Sequence, residues 1–279
     1  MIDVTRVQGP DCYRCPYRLD RASCQGECFE KVEESLAQIG EEVAAFIVEP
    51  LVQAAAGMKI YPPIYLKKLR QACDKYGIHL IADEIAVGFG RTGKMFACEH
   101  AGISPDMICL SKGLTGGYMP MAIVVTTNKI YEAFYADYKE GKAFMHSHTY
   151  SGNPLGASCA LAVLDIFEKE NILEELPERN VIFNKKVKAT FQDYPYVGEI
   201  RQIGFINAVE LVEDKATKKS FDSSLRVGYE IYKIAVSKGL ILRPLGNVLY
   251  FNPPLTLTES EMDEMLAIAK ESVENYFNR

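Results

Sequence analysis

Three short apolar runs, each closing on a charged or polar residue, constrain this chain more than any other feature. VAAFIVE (43–49), HLIAD (79–83) and MICLS (107–111) are continuous blocks of strand length, without the alternation that a sheet with one wet face would show. They read as buried strands. After the first, Pro62 and Pro63 open a helical stretch that ends at Gly77, the usual asymmetry of proline at a helix start and glycine past its end. MAIVV (121–125) reads as a further strand. The pattern predicts an α/β fold, a mostly parallel sheet wrapped by helices, with function at the carboxyl ends of the strands.

From Asn153 to about Tyr194 the apolar spacing becomes helical, and this stretch reads as a connector. Beyond it, VGEIRQIGFINAVELV, a helix around Arg226 to Lys238, the short strands LILR and VLYF, and a last helix predict a smaller α+β domain. Thr258 and Glu261 form a capping box for that last helix, whose Met262, Met265, Leu266, Ala269, Val273 and Tyr276 share one face and belong to a core. We expect two domains, residues 1–170 with a cysteine-bearing loop at 10–30, and residues 171–279 comprising the connector and the small domain.

A net charge of −6 over 279 residues argues against nucleic acid or an anionic membrane as the main partner, because both select clustered Lys and Arg. No apolar run approaches the roughly 20 residues that span a bilayer, and MIDVTRVQGP lacks the apolar core of a signal peptide. The expected location is cytoplasmic. Cys73, Cys98, Cys109 and Cys159 lie singly in segments that read as buried, which suits thiols in a reducing compartment. Cys12, Cys15, Cys24 and Cys28 have C-x2-C and C-x3-C spacing, which suits a structural zinc. Their spacer of eight residues is shorter than in common zinc modules, so four free thiols are the favoured reading and zinc the alternative. His79 and His100 read as ordinary packing or surface histidines.

Asp83 ends one predicted strand and Lys112 follows another, so both emerge at one edge of the sheet. A carboxylate beside the pyridine nitrogen of pyridoxal 5'-phosphate (PLP) favours its protonated form, while a lysine amine holds the cofactor's aldehyde. Pattern alone leaves the alternative of a solvated or ion-paired Lys and Asp open. GFGRTG (88–93) fits the spacing of a dinucleotide fingerprint, but it does not emerge directly from a strand, opens no clear helix and has no acidic residue about 20 positions on. It reads as a flexible turn shaping a pocket.

IVEPLVQAAAG, LIADEIAVGFGRTGKMFACEHAGISPDMICLSKGLTGGYMPMA and HSHTYSGNPLGASCALA, spread from about Val43 onward, resemble the class III (ω-type) aminotransferases of PLP fold type I. The resemblance is strongest to the biotin-pathway branch, which transfers an amino group to 8-amino-7-oxononanoate to give 7,8-diaminononanoate. It implies PLP as cofactor, a small-molecule amino donor, a keto-acid acceptor and a homodimer, with neither nucleic acid nor membrane as partner. Position by position it implies Lys112 as the cofactor lysine and Asp83 as the partner of the pyridine nitrogen, with Ile85 as the apolar contact on one ring face. It further implies Thr149 at the cofactor phosphate of the neighbouring subunit, His148 beside it and Ser147 at the substrate edge. Arg243 matches the arginine that grips the substrate carboxylate. Tyr250 is either a lining residue of that pocket or a core tyrosine.

Two departures from the wider class III pattern narrow the reading. Gln53 is followed by Ala54, Ala55 and Ala56 where a glutamate is usual, and Ala86 stands where a glutamine is common. Relatives that toggle between α-amino and ω-amino substrates use that glutamate to cover the arginine, so its absence favours the biotin-pathway branch. S-adenosylmethionine and lysine both remain as donors. Family chains also carry, ahead of the part corresponding to this sequence, a Ser-Gly phosphate turn and aromatic pocket residues that have no counterpart here. The expectation is therefore a truncated chain with a partial large domain. The rival readings are an ω-amino-acid aminotransferase with pyruvate as acceptor and a non-catalytic fragment.

Overall fold

The computed structural model describes residues 3–278. After an N-terminal segment of turns, α1 (Glu30–Ile39) leads into β1 (Ala45–Val48) and a small hairpin of β2 (Val52–Gln53) and β3 (Lys59–Ile60). α2 (Pro63–Tyr76) then returns the chain to β4 (His79–Asp83), and β5 (Met107–Leu110) and β6 (Ile123–Thr126) complete a sheet of order β1-β4-β5-β6. β1, β4 and β5 are parallel and β6 antiparallel, so the sheet is mostly parallel, as expected. α2 forms where the two prolines point to it: Pro63 occupies its first turn, where a missing N–H costs nothing, and Gly77 closes it at φ 68°.

One face of this sheet is covered. Tyr65, Leu66, Leu69, Ala72 and Cys73 of α2 recur at helical spacing and pack with Leu80 and Ala82 of β4, and with Phe46 and Val48 of β1, in a first core. The opposite face carries Ile47, Ile81 and Met107 in register and, opposite Cys109, Val124. It stands open, with Ile47 63% and Val124 62% exposed. The apolar runs were expected to be buried; they are buried on the α2 side alone, because no element among the described residues packs on the other.

α3 (Asn128–Glu132) and an extended stretch precede α4 (Pro154–Lys169) and α5 (Ile172–Phe191), which are separated at Asn171 by a left-handed residue, φ 48°. β7 (Val197–Ile203), β8 (Ile206–Leu211) and β9 (Val248–Phe251) form an antiparallel sheet in that order, joined by α6 (Val227–Ser237) and followed by α7 (Glu259–Phe277). The Thr258–Glu261 capping box is present, and Met262, Leu266, Ala269 and Val273 are buried in a second core. LILR is not a strand. The chain instead reverses on itself through mutual Leu245 and Val248 backbone bonds of 2.9 and 3.0 Å, directly after Pro244, which has no N–H to give a ladder. Likewise MAIVV enters the sheet only at Ile123, since the Met121 carbonyl accepts the Ser111 hydroxyl at 2.7 Å.

β8 is buried along its whole length. Ile206 and Ala208 point into the first core, Val209 and Leu211 into the second, so the period-2 alternation of a single strand joins both. On the first-core side lies Arg201. It is 3% exposed and donates to the carbonyls of Met58 (3.0 Å) and Gly57 (2.7 Å) and to Glu199 and Glu210, and Glu210 also receives Arg14. GFGRTG is not flexible but clamped: Arg91 donates to the Pro253 carbonyl, Phe205 N–H reaches Arg91 O at 2.9 Å, and a Cβ at Gly204 would lie 2.2 Å from the Thr92 backbone. Only glycine fits there.

Arg201→Leu is expected to lower the unfolding free energy by about 3–5 kcal/mol, because two carboxylates lose a buried partner. Urea unfolding followed by circular dichroism measures it. The Arg201→Leu/Glu210→Leu pair should cost less than the sum of its members.

Candidate active site

In the sheet, Val48 lies opposite Ala82, so one further step along the two parallel strands places Glu49 beside Asp83, and Asp83 itself pairs with Cys109 of β5. Parallel neighbours in register point the same way. Glu49 and Asp83 thus share the open face at the carboxyl end of the sheet. Asp83 is half-buried; its Oδ1 accepts the Ile85 N–H at 3.1 Å, and among the described residues it has no ion pair. Ile85, two residues on, is half-buried.

Glu84 goes the other way. It is fully buried, and its carboxylate accepts the N–H groups of Ala97 and Cys98, both at 2.8 Å. Burial pushes its carboxyl above the usual range while those two bonds oppose the shift. The chain leaving Asp83 is fixed by this capping interaction.

Lys112 follows β5 by way of extended Ser111 and adopts φ 47°, uncommon for a residue with a side chain. It opens a 3-10 turn (Lys112–Thr115), steadied by the Cys159 thiol on the Thr115 carbonyl at 3.3 Å, and Gly113 sits so close to Phe89 that a Cβ would fall 2.8 Å from that residue's Cβ. Among the described residues the Lys112 ammonium is exposed and has no hydrogen-bond or ion-pair partner.

Glu49 connects the two. Burial raises its carboxyl above the ordinary value, the Ala54 N–H at 2.9 Å lowers it, the charge of Asp83 raises it and that of Lys112 lowers it. Asp83 and Lys112 are therefore both within electrostatic reach of Glu49. Its place in IVEPLVQAAAG was the only sequence signal for it.

The other expected residues lie elsewhere. Ser147, His148 and Thr149 occupy an exposed turn, in which the His148 N–H meets Ser151 Oγ at 3.1 Å and the Tyr150 N–H meets His148 Nδ1 at 3.2 Å. No hydrogen bond or ion pair joins them to Lys112 or Asp83 among the described residues. Arg243 is exposed and lines an open groove of about 520 Å3 with Arg226, whose guanidinium stacks 4.0 Å from the Tyr229 ring. No carboxylate pairs with either arginine among the described residues. Tyr250 does not line that groove; its half-buried ring packs against the first core. The His100 ring nitrogen meets Thr92 O at 3.1 Å, and His79 approaches Asp106 at 3.7 Å. Cys73 and Cys98 are buried, whereas Cys109 and Cys159 are only half-buried; all eight cysteines are free. Burial pushes the Cys12 thiol up to about 12, with Cys24, Cys28 and Cys15 adding to the rise and Arg21 opposing it.

The model of the family "Aminotransferase class-III" matches residues 2–273. The chain belongs to the class III aminotransferases. This is a family of PLP-dependent enzymes, and solved transaminases of fold type I share the chain's architecture. The chain is 47% identical, over 96% of its length, to adenosylmethionine-8-amino-7-oxononanoate aminotransferase of Geobacter sulfurreducens. It is 39% identical, with a TM-score of 0.85, to the crystal structure of the enzyme of that name from Methanocaldococcus jannaschii, over 89% of this chain and 57% of that one. The crystal structure of a thermostable omega transaminase variant from Pseudomonas jessenii superposes with a TM-score of 0.89 at 32% identity, over 96% of this chain and 59% of that one. The chain spans 59% and 49% of the length of two curated relatives, from Geobacter sulfurreducens and Nitratidesulfovibrio vulgaris. No helix among the described residues is long and apolar enough to cross a membrane.

Glu49 yields a pH prediction. A carboxyl whose native pKa is raised binds its proton more tightly in the folded than in the unfolded state, so stability is lost as pH rises from the ordinary value of 4.5 through the native one. Glu49→Gln removes this loss. In urea unfolding from pH 4 to 7, the variant should gain on the parent chain as pH rises; parallel curves would show that the raised carboxyl is not there.

Proposed function

We propose that Lys112 and Asp83 hold PLP in an aminotransferase that acts on 8-amino-7-oxononanoate and yields 7,8-diaminononanoate. The observation that carries this reading is the convergence of Glu49, Asp83 and Lys112 at the carboxyl end of the parallel sheet, where α/β folds bind ligands. PLP presents an aldehyde and a protonatable ring nitrogen, and the two side chains suit them. Among the described residues, one Asp83 carboxylate oxygen has no hydrogen-bond partner and the Lys112 amine has none. When bound, the cofactor supplies an electron sink for the bonds at a substrate's Cα.

The remaining work falls to the chain's own residues. The Asp83 carboxylate favours a proton on the ring nitrogen. The Lys112 amine would hold the cofactor's aldehyde and, freed by the substrate's amine, would act as the general base and acid that moves the proton lost from the substrate Cα. Ile85 would be the apolar contact for the cofactor ring, and Ser147, His148 and Thr149 would serve the cofactor and substrate of a neighbouring subunit in a homodimer. Arg243 binds the substrate carboxylate. Among the described residues it has no acidic partner to displace first, in keeping with the alanines at 54–56. The adenosylmethionine in the relatives' names favours that donor, with lysine as the alternative.

We also read residues 1–170 and 171–279 as two domains, since the helices part at Asn171 and the buried residues of the second core all lie from Ile172 onward, and the location as cytoplasmic. The open sheet face, with Ile47 and Val124, is where the further length of the relatives packs in this reading. A second reading, an ω-amino-acid aminotransferase with pyruvate as acceptor, rests on the superposition with omega transaminase. Comparing pyruvate with 8-amino-7-oxononanoate as acceptor separates the two.

Borohydride reduction of the protein with PLP is expected to leave the pyridoxyl label on Lys112 and to leave none there in Lys112→Ala; a label chiefly on another lysine overturns the assignment. Arg243→Lys should raise the KM of the carboxylate substrate by about tenfold with a smaller change in kcat, because a point charge replaces a planar two-donor fork.

A further inference from the structure

The cysteine-bearing segment has no part in the site around Lys112. Cys12, Cys15, Cys24 and Cys28 lie in and just beyond a stretch of turns, yet all four line one cavity of about 20 Å3. That is room for a single occupant the size of a water molecule. Arg21 lines the same cavity, and among the described residues its buried Nη1 has no hydrogen-bond partner. No carboxylate pairs with Arg21 among the described residues. Arg21 acts electrostatically on Cys12, and a thiol is too weak an acceptor to compensate a buried guanidinium N–H. The cluster is short of negative charge on the sulfurs and of something at its centre to hold them.

We propose that this cavity is a structural site for one zinc ion, held by the four cysteine sulfurs, with Arg21 donating to the resulting thiolates. Four thiols release four protons and bind one divalent cation, leaving a centre of charge −2 that the guanidinium half offsets. No electron is transferred. Four sulfur donors in C-x2-C and C-x3-C pairs suit a tetrahedral ion without redox chemistry, and the closed donor set leaves no position for a substrate. No three of the cysteines, nor any other three His, Cys, Asp or Glu among the described residues, stand in metal-holding positions in this structure. Binding turns their side chains about the Cα–Cβ bonds into the cavity they already line.

The loop that such an ion would brace is docked on the rest of the fold. Asp11 pairs with Lys59 at 2.8 Å, Gln53 donates to the Pro10 carbonyl at 2.7 Å, and Arg14 reaches Glu210, the carboxylate that Arg201 also holds. The ion therefore stabilises a segment that feeds the buried charge network. It acts on that docking and not on the chemistry at Lys112, so this inference stands apart from the proposed activity.

The whole chain, purified under reducing conditions without chelator, is assayed by elemental mass spectrometry, then stripped of metal and titrated with Co(II). We expect one zinc per chain, an intense thiolate-to-cobalt charge-transfer band that saturates at one equivalent, and displacement of that cobalt by zinc. Cys12→Ser and Cys24→Ser should bind less than about a tenth of the metal, and Arg21→Gln, which keeps all four ligands, should weaken zinc binding by about tenfold. Because serine variants can misfold, the cobalt titration of the unaltered chain decides by itself. No charge-transfer band, with all four thiols reacting freely with a thiol reagent in the presence of zinc, overturns the site. So does the loss of four hydrogens to two disulfides, or the recovery of iron and sulfide in place of zinc.

Discussion

Everything at the candidate site depends on the ladder that holds β4 between β1 and β5. Parallel pairing in this register brings three carboxyl ends to one edge, and side chains opposite one another in a ladder share a face. A slip of one residue in β4 would turn Asp83 into the first core and Glu84 onto the open face. Backbone hydrogen bonds and the packing of Leu80 and Ala82 under α2 fix the register; the charged residues do not. Glu84, its carboxylate spent on the Ala97 and Cys98 amides, locks the chain just past the point where Asp83 is presented. An adjacent pair of acids is thus divided between a structural task and an open one by the two-residue period of a strand.

A second constraint ties the C-terminal sheet to the first. β8 contributes to both cores, and Arg201 bonds carbonyls of the hairpin between β1 and α2. A buried guanidinium is costly to desolvate, and here two carbonyls and two carboxylates compensate it. The GFGRTG loop adds a third tie through Gly204 and Pro253. These contacts carry a position fixed on β4 across to the segment that bears Arg243.

Membership of the class III aminotransferases accounts for the order of these elements, and the chain spans about half to three fifths of the length of the curated relatives it matches. That fraction contains the lysine and the acid of the proposed site together with an apolar sheet face open to solvent. The comparison bears on fold and chemistry class. It leaves the cysteine cluster unexplained, and the case for that cluster rests on its own cavity and on Arg21.

The sequence by itself determined what short-range physics controls. The prolines and Gly77 bound α2, the capping box starts α7, and three apolar runs become the parallel strands, because each signal acts within a few residues. Lys112 and Asp83 were legible as strand-end residues for the same reason. Where contact partners lie far apart in sequence, only the tertiary structure decided. LILR looks like a strand, but no edge pairs with it next to Pro244. The runs looked buried on both faces, while other elements arrive to cover only one. Glu49 acquired its place beside Asp83 from the register of a neighbouring strand, and GFGRTG became rigid because Gly204 and Pro253 reach it from more than a hundred residues away. The four thiols share a cavity with a partnerless guanidinium nitrogen only once the turns of residues 12–28 are folded, since spacing along a chain fixes neither the direction of a side chain nor what stands opposite it.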